Sequence, residues 1–308
     1  MLLITREMPP AVLARAQREH QLRELRLTGR FAPHHVLNNC EGVTAILCIP
    51  ADIFDAALIA ALPDSVKVIA TFSVGLEHID RDAAAARGIK ICHTPDVLTT
   101  ATAELSLMLM LMAARRAGEG ERILRAGLWP GLAPTFHLGR GVAGKVLGIF
   151  GMGRIGQALA GMARGLNMQV HYRNRQRLPP TLEQGAIYHG EDARFLSAID
   201  FLSINAPGGA ETFHWLNHAR LARLKPGAII VNTGRGTIID DAALIAALRS
   251  GHVAAAGLDV FAHEPKIPAG YLALENVVLL PHIGSATIEA RNAMGFLALD
   301  GIKAALAA

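Results

Sequence analysis

The sequence has few cysteines, few aromatic residues and no long apolar run. Its three cysteines, Cys40, Cys48 and Cys92, lack the close C-x-x-C spacing of metal and redox motifs, so we expect a reduced, cytoplasmic setting and no metal. The longest near-continuous apolar stretch, 105–114, is well short of the roughly 18 residues that indicate a membrane span. The amino terminus has no basic segment followed by a long apolar run, so neither a secretory signal nor a membrane partner is expected.

The sequence also lacks a strong excess of charge of either sign. In 308 residues, 30 Lys and Arg stand against 26 Asp and Glu, a formal net charge of +4. This excess is too small and too scattered to indicate a nucleic-acid surface. The one local cluster, three arginines between 173 and 177, has no interleaved aromatic residues for base stacking, so we expect no nucleic-acid partner.

What the sequence does contain is a regular alternation of short apolar runs with Ala- and Leu-rich helical stretches. This pattern is typical of βαβ units and predicts an α/β fold with two Rossmann-like parallel sheets. The length also favours two domains over one. The expected strands of the first sheet are 2–5, 45–48, 66–71 and 90–92. Six strands are expected in the second sheet, at 146–150, 169–172, 201–205, 228–232, 256–259 and 277–280.

A glycine-rich turn follows the first strand of the second series. The motif Gly151-Met152-Gly153-Arg154-Ile155-Gly156 is a G-x-G-x-x-G between that strand and a helical stretch from Gln157. In such turns the first glycine permits the tight turn, the second lets the backbone approach a pyrophosphate, and the third lets helix and strand pack closely. Because the helix N-terminus also offers free N–H groups, the motif predicts a dinucleotide site.

The end of the next strand is basic where such sites usually carry an acidic residue. That acid binds the ribose hydroxyls and repels a 2′-phosphate. Here the segment reads Arg173-Asn174-Arg175, with Arg177 close behind. Guanidinium groups can bind a phosphate with two parallel hydrogen bonds, so NADP(H) is the expected cofactor and NAD(H) the alternative. Arg175 is the strongest candidate, although these arginines could also be solvated loop residues.

Three polar residues each follow a strand of the second series and together suit the reduction of a 2-oxo acid. Ligands of open α/β sheets bind beyond the carboxyl ends of the strands. There Arg235 can bind a carboxylate and polarise the neighbouring carbonyl, and His282 can protonate the carbonyl oxygen as hydride arrives at carbon. Glu264 would hold His282 and favour its imidazolium form, which keeps the acid loaded near neutral pH. Taken singly, each residue could be an ordinary surface or turn residue.

These motifs, in order and at this spacing, resemble the D-isomer-specific 2-hydroxyacid dehydrogenase family. The match extends over about residues 65–290 and includes 73–80, 151–156, the Arg235 turn, 259–265 and 281–287. Within the family, Thr94-Pro95-Asp96-Val97-Leu98-Thr99, the following Thr102-Ala103-Glu104 and the basic strand end are most similar to NADPH-dependent glyoxylate/hydroxypyruvate reductases. Glu77, where the family usually has Asp, and Gly208-Gly209, in place of bulkier residues, are modest departures.

The resemblance implies a substrate domain, 1–97 with 286–308, a dinucleotide-binding domain, 98–285, and a cleft between them. It implies a small 2-oxo acid substrate whose carboxylate is bound by the N–H groups of Val74 and Gly75, the Arg–Glu–His roles above, and a homodimer. The remaining positions that it assigns to the cofactor are Thr102, Met152, Arg154, Ile155, Ala206, Pro207, Thr212, Thr233, Gly234, Arg235, Asp259, His282 and Gly284.

Three other functions are compatible with such a fold. One is a nicotinamide-sensing binding protein without turnover, which fold alone does not exclude. The joint presence of Arg235, Glu264 and His282 argues against it. Another is a dehydrogenase of the same family that acts on a bulkier 2-oxo acid. The third is a formate dehydrogenase, which Glu264 disfavours because that family carries Gln at this position.

Overall fold

The computed structural model describes residues 1–307 and contains two parallel β-sheets surrounded by helices, which confirms the expected α/β class. The strands are β1 Leu2–Ile4, β2 Leu22–Glu24, β3 Ala45–Cys48, β4 Val68–Thr71, β5 Lys90–Cys92, β6 Val146–Phe150, β7 Gln169–Arg173, β8 Ile187–Tyr188, β9 Phe201–Ile204, β10 Ala228–Asn232, β11 Val253–Leu258 and β12 Val277–Leu279. The helices are α1 Pro10–Glu19, α2 Pro33–Leu37, α3 Ala56–Ala61, α4 Arg81–Ala86, α5 Thr99–Ala114, α6 Ala117–Arg125, α7 Arg154–Gly165, α8 Pro180–Glu183, α9 Asp192–Ala198, α10 His218–Leu221, α11 Asp241–Arg249, α12 Ala269–Leu272 and α13 Ile288–Ala307.

The chain divides into two compact units. Unit 1 comprises Met1–Leu98 and the C-terminal segment from Ser285, and unit 2 comprises Thr99–Gly284. The chain therefore crosses between the units twice, each time one residue away from the boundary expected from the sequence. Within residues 1–307, no helix is both long enough and apolar enough to cross a bilayer.

Unit 1 is built on a five-stranded sheet with the order β2-β1-β3-β4-β5. Successive side chains of a strand point to opposite faces, and both faces here are apolar. Leu3 and Ile46 belong to the core on one face, while Leu2 and Leu47 belong to the core on the other. Each such fully buried aliphatic side chain contributes on the order of 2 kcal/mol to folding. Helix α13 covers the second face, where Gly295 leaves room for Val12 of α1.

Unit 2 is built on a seven-stranded sheet with the order β12-β11-β10-β9-β6-β7-β8. If β6 is counted as the first strand, this order is that of dinucleotide-binding sheets. Strands β7 and β8 extend the sheet to one side of β6, and β9 to β12 extend it to the other, so the strand order reverses between β6 and β9. The carboxyl ends of β6 and β9 flank the crevice in which such sheets bind their ligands. All strand pairs are parallel, and the apolar cores lie on both faces of the sheet.

The expectation of four strands and six strands was wrong by one strand in each sheet. Both missed strands, β2 and β8, lie at sheet edges, and they are only three and two residues long. Their side chains are half-buried or exposed, so the apolar run that indicates a buried strand is absent. Strand β8 forms the edge of the second sheet and pairs with β7.

Candidate active site

The glycine-rich turn has a different constraint at each of its three glycines. Gly151 has a φ of +94°, and a Cβ there would lie 2.5 Å from the backbone nitrogen of Ala206. At Gly156 a Cβ would lie 2.6 Å from the carbonyl oxygen of Gly151, because α7 packs closely on β6 here. At Gly153, by contrast, a Cβ would meet no atom of the described chain within 4 Å. The middle glycine therefore keeps space open for a ligand.

The first turn of α7 lies beside that space, and its backbone N–H groups precede the first hydrogen bond of the helix. Gly153 is the N-cap, and the first α-helical hydrogen bond runs from the N–H of Gln157 to the carbonyl oxygen of Gly153, at 2.9 Å. Residues 154 and 155 form the beginning of the helix, where the positive end of the helix dipole favours an anion. An open glycine next to a helix N-terminus suits the pyrophosphate of a dinucleotide.

The basic strand end contains one internal arginine and one exposed arginine. Arg173 donates to Asp192 at 2.9 Å and is mostly buried, so its guanidinium is already engaged. Arg175 pairs with Glu211 at 2.8 Å, and both side chains are strongly exposed, at 84% and 72%. Asn174 accepts a hydrogen bond from the N–H of Met152 at 2.7 Å and so ties the strand end to the glycine turn. Arg175 is thus the arginine of this segment that a phosphate can reach with little rearrangement.

The loop after β9 passes directly over the glycine turn. Ala206 is buried, and a Cβ at Gly234 would lie 2.7 Å from its carbonyl oxygen. Further along the loop, the hydroxyl of Thr212 donates to the carbonyl oxygen of Pro207 at 2.8 Å. The structure thus brings the expected positions 206, 207, 212 and 234 to the crevice at the carboxyl ends of β6, β9 and β10.

His282 and Glu264 form a direct pair. Nδ1 of His282 lies 2.7 Å from Oε2 of Glu264, and the N–H of Phe261 donates to the other carboxylate oxygen at 2.9 Å. A carboxylate can only accept, so Nδ1 carries the proton of this hydrogen bond. The imidazole is 44% exposed, and no described residue bonds to its Nε2. The ring is therefore oriented from one side and accessible from the other.

The electrostatics of Glu264 reflect this pairing. Burial is the largest single influence on the pKa of Glu264 and raises it. The hydrogen bond and charge of His282, the N–H of Phe261 and the charge of Arg235 all act in the opposite direction, and together they place the pKa below its usual range. Glu264 is consequently ionised at neutral pH and can stabilise a positive charge on the imidazole.

Arg235 is held in a turn that is closed by the side chain of Asn232. The amide nitrogen of Asn232 donates to the carbonyl oxygen of Arg235 at 3.0 Å, and its oxygen accepts from the N–H of Gly234 at 3.0 Å. Next in the chain, Gly236 leaves no room for a side chain, since a Cβ would lie 1.9 Å from the carbonyl carbon of Phe261. This contact brings the Arg235 turn against the segment that leads to Glu264.

Asp259 holds the backbone of the two residues that follow His282. Its two carboxylate oxygens accept the N–H groups of Ile283 and Gly284, each at 2.8 Å. Burial raises the pKa of Asp259 despite these two hydrogen bonds. The hydroxyl of Thr102 donates to the carbonyl oxygen of Gly284 at 3.2 Å. These contacts fix the backbone on the C-terminal side of His282, whose own φ of +54° is unusual for a non-glycine residue.

Two polar residues of the site did not follow from sequence reasoning. The hydroxyl of Ser106 lies 2.7 Å from that of Thr233, and Thr233 donates to the side chain of Asn205 at 3.1 Å. This chain links α5 with the carboxyl ends of β10 and β9 behind the crevice. The available signals were a serine within the apolar stretch 105–114 for Ser106 and a polar residue at a strand end for Asn205.

Val74 and Gly75 lie in unit 1, in the loop that follows β4. Val74 is exposed, and its carbonyl oxygen is 3.0 Å from Nδ1 of His93. Within residues 1–307, no cluster of three or more His, Cys, Asp or Glu side chains could hold a metal ion.

The fold and the site of unit 2 define a nicotinamide-dependent oxidoreductase. The family described as D-isomer specific 2-hydroxyacid dehydrogenase, NAD binding domain, matches residues 107–284. The chain is 40% identical over 305 residues to a glycerate dehydrogenase of Hyphomicrobium methylovorum, with 98% of this chain and 95% of that protein covered. The chain belongs to the D-isomer specific 2-hydroxyacid dehydrogenase family.

Two solved structures are similar over nearly the whole chain. A D-isomer specific 2-hydroxyacid dehydrogenase from Polaromonas sp. JS6 66 is 46% identical with a TM-score of 0.95, and 98% of this chain and 95% of that chain are covered. An NADPH-dependent glyoxylate/hydroxypyruvate reductase from Sinorhizobium meliloti, solved with NADP and malonate, is 34% identical with a TM-score of 0.87. There the coverage is 98% of this chain and 92% of the other. This protein is thus an NAD(P)-dependent 2-hydroxyacid dehydrogenase, similar to glyoxylate/hydroxypyruvate reductases.

Proposed function

We propose that the enzyme reduces glyoxylate and hydroxypyruvate to the corresponding 2-hydroxy acids and that NADPH is its preferred cofactor. The observation that carries the catalytic part is the 2.7 Å hydrogen bond between His282 and Glu264, beside an accessible Nε2. The Sinorhizobium meliloti reductase and the Hyphomicrobium methylovorum glycerate dehydrogenase support the substrate class. Glycerate is the 2-hydroxy acid formed when hydroxypyruvate is reduced.

In the proposed mechanism, Arg235 binds the substrate and His282 protonates it. The guanidinium of Arg235 binds the carboxylate and polarises the adjacent carbonyl. Bound NADPH supplies the hydride for the carbonyl carbon. Nε2 of His282 gives its proton to the carbonyl oxygen, which leaves a hydroxyl on the product and a neutral imidazole. Glu264 retains the hydrogen bond at Nδ1 throughout, so the ring keeps its orientation.

Val74 and Gly75 are proposed to bind the substrate carboxylate through their N–H groups. A carboxylate is acceptor-only, so two backbone donors suit it. Neither N–H takes part in a hydrogen bond of the described chain.

The preference for NADPH is proposed on the basis of Arg175. The four residues that follow β7, 174–177, include no Asp or Glu, the residue types that would repel a 2′-phosphate there. Arg175 is exposed and its partner Glu211 is exposed too, so a phosphate can replace Glu211 with little loss, since exposed ion pairs contribute about 0–1 kcal/mol. The guanidinium of Arg173 is bound to Asp192. We therefore propose that Arg173 assists cofactor binding indirectly, by fixing the conformation of the end of β7.

A homodimer is proposed on the basis of exposed apolar side chains that follow α6. Leu128 is 70% exposed, Trp129 56% and Leu132 97%, and the three residues are close together in sequence. Such a group of exposed apolar residues marks an interaction surface. Light scattering coupled to gel filtration tests this proposal: twice the mass of the 308-residue chain is expected, and a single-chain mass would contradict it.

The substrate and the cofactor are tested together in one absorbance assay. Purified protein is mixed with NADPH or NADH and with glyoxylate, hydroxypyruvate, pyruvate or phenylpyruvate, and the loss of the reduced nicotinamide band is followed. Rapid oxidation of NADPH with the first two acids is expected. Faster reaction with phenylpyruvate would assign a bulkier substrate instead. Cofactor binding without any turnover would favour the binding-protein alternative.

A further inference from the structure

The loop 73–76 of unit 1 has its peptide groups fixed from one side. The carbonyl oxygen of Ser73 accepts the N–H of Thr94 at 2.8 Å. The carbonyl oxygen of Val74 accepts from Nδ1 of His93 at 3.0 Å, and that of Gly75 accepts from the hydroxyl of Ser73 at 2.7 Å. Three consecutive carbonyl groups are therefore engaged.

This arrangement directs the N–H groups away from the segment 93–94. In a trans peptide the carbonyl of one residue points opposite to the N–H of the next. Fixing the Ser73 and Val74 carbonyls on residues 93 and 94 thus turns the N–H groups of Val74 and Gly75 to the other side. Within residues 1–307, no hydrogen bond uses either N–H or that of Leu76. Successive N–H groups presented in this way form a concavity that suits an anion.

A buried chain of hydroxyl groups stabilises the loop independently of His93. Ser73 has one hydroxyl proton, which goes to the Gly75 carbonyl, so Ser73 accepts from Thr71 at 2.9 Å. Thr71 has then used its own proton and accepts from Nε2 of His78 at 2.8 Å. All three side chains are buried. Because this support remains when His93 is replaced, a His93 variant is expected to fold.

We propose that His93 is a positioning residue, which holds the peptide between Val74 and Gly75 so that the Gly75 N–H faces the substrate carboxylate. This inference rests on the proposed role of Val74 and Gly75. A carbonyl can only accept, so Nδ1 of His93 must donate. Both the neutral Nδ1–H tautomer and the imidazolium can do so, and the contact does not require a charged ring.

The test compares His93→Leu with His93→Asn. Nδ2 of asparagine is as many bonds from Cα as Nδ1 of histidine, so His93→Asn can restore the donor, whereas His93→Leu cannot. With glyoxylate, His93→Leu is expected to raise KM about fivefold to tenfold with little change in kcat. The reason is that the Gly75 N–H binds the carboxylate equally strongly in the ground state and in the transition state. His93→Asn is expected to return KM to near the wild-type value. His34→Leu, an exposed histidine of α2 in the same unit, is the matched control and should leave KM unchanged.

A second readout does not depend on turnover. Oxamate, in which an amide replaces the aldehyde of glyoxylate, is added to the ¹⁵N-labelled protein saturated with NADP⁺, and the Gly75 amide resonance is followed. The resonance should shift in the wild type and in His93→Asn but much less in His93→Leu. If the wild type reduces no 2-oxo acid and yet shows this pattern, the proposed reaction fails and the role of His93 stands. An unmoved Gly75 resonance in the wild type, or equal KM values for the Leu and Asn variants, would overturn the proposal.

Discussion

Nδ1 of His282 lies 2.7 Å from Oε2 of Glu264, and the second oxygen of that carboxylate is held by the backbone N–H of Phe261. The carboxylate thus has a fixed position before it meets the imidazole. The backbone that follows His282 is fixed separately, because Asp259 accepts the N–H groups of Ile283 and Gly284. Both the ring of His282 and the chain next to it are therefore held in place within unit 2, as the proposed proton donor requires.

Replacing Glu264 by Gln should keep a hydrogen bond to the ring but remove the negative charge. The charged carboxylate makes the stronger hydrogen bond to the ring and better stabilises its positive charge, so kcat with glyoxylate and NADPH should fall about tenfold in Glu264→Gln. Steady-state kinetics with glyoxylate and NADPH measure this change. A kcat close to that of the wild type would show that the charge of Glu264 does not assist His282.

The same pair should affect stability in a defined pH range. The pKa of Glu264 is lowered in the folded protein, so its ionised form favours folding. This stabilisation should be present above the unfolded value of about 4.3 and disappear as the pH falls through the lower folded value. Urea unfolding of the wild type and Glu264→Gln from pH 7 to pH 3 measures it. The difference in free energy of unfolding should shrink toward acidic pH; a constant difference would contradict the assignment.

Replacing Arg175 by Ala should weaken the binding of NADPH and leave the binding of NADH unchanged. Loss of a hydrogen bond to a charged group costs about 1.5–3 kcal/mol, which corresponds to a rise of about tenfold or more in the Kd of NADPH. Arg177→Ala is the matched control, because Arg177 pairs with Glu183, six residues further along the chain. This variant should change the affinity for neither NADPH nor NADH. Glu211→Gln should strengthen NADPH binding because it frees Arg175. If Arg175→Ala lowered the affinities for NADPH and NADH by the same factor, a contact between Arg175 and the 2′-phosphate would be excluded.

Two glycines of the same turn should respond to alanine in opposite ways. Gly151→Ala combines a left-handed φ with a clash against Ala206 and should lower the free energy of unfolding by about 2 kcal/mol or more. Gly153→Ala meets no neighbouring atom and should leave stability unchanged while raising the Kd of NADPH at least about tenfold. Thermal unfolding and fluorescence titration separate the two effects. Tight NADPH binding by Gly153→Ala would mean that the cofactor does not approach this glycine.

Sequence reasoning was strongest where one local pattern determines one local structure. The buried strands β4, β6 and β10 have continuous apolar runs, and the glycine turn follows directly after its strand. The edge strands β2 and β8 are too short and too exposed to give such a pattern.

Contacts between distant residues were beyond the reach of sequence patterns. Asp192, which engages Arg173, lies 19 residues away, and Glu211 lies 36 residues from Arg175. No local pattern specifies either pair. The left-handed backbone of His282 likewise results from the contacts around it rather than from its own preference.

The central claim, that His282 is the proton donor, is tested most directly by His282→Asn. Asparagine tolerates the left-handed backbone of this position and can still donate from Nδ2 to Glu264, but it has no proton to replace that of Nε2. We predict that kcat for glyoxylate with saturating NADPH falls by about tenfold or more, with the Kd of NADPH unchanged. Turnover close to that of the wild type would contradict the assignment of His282 as the general acid.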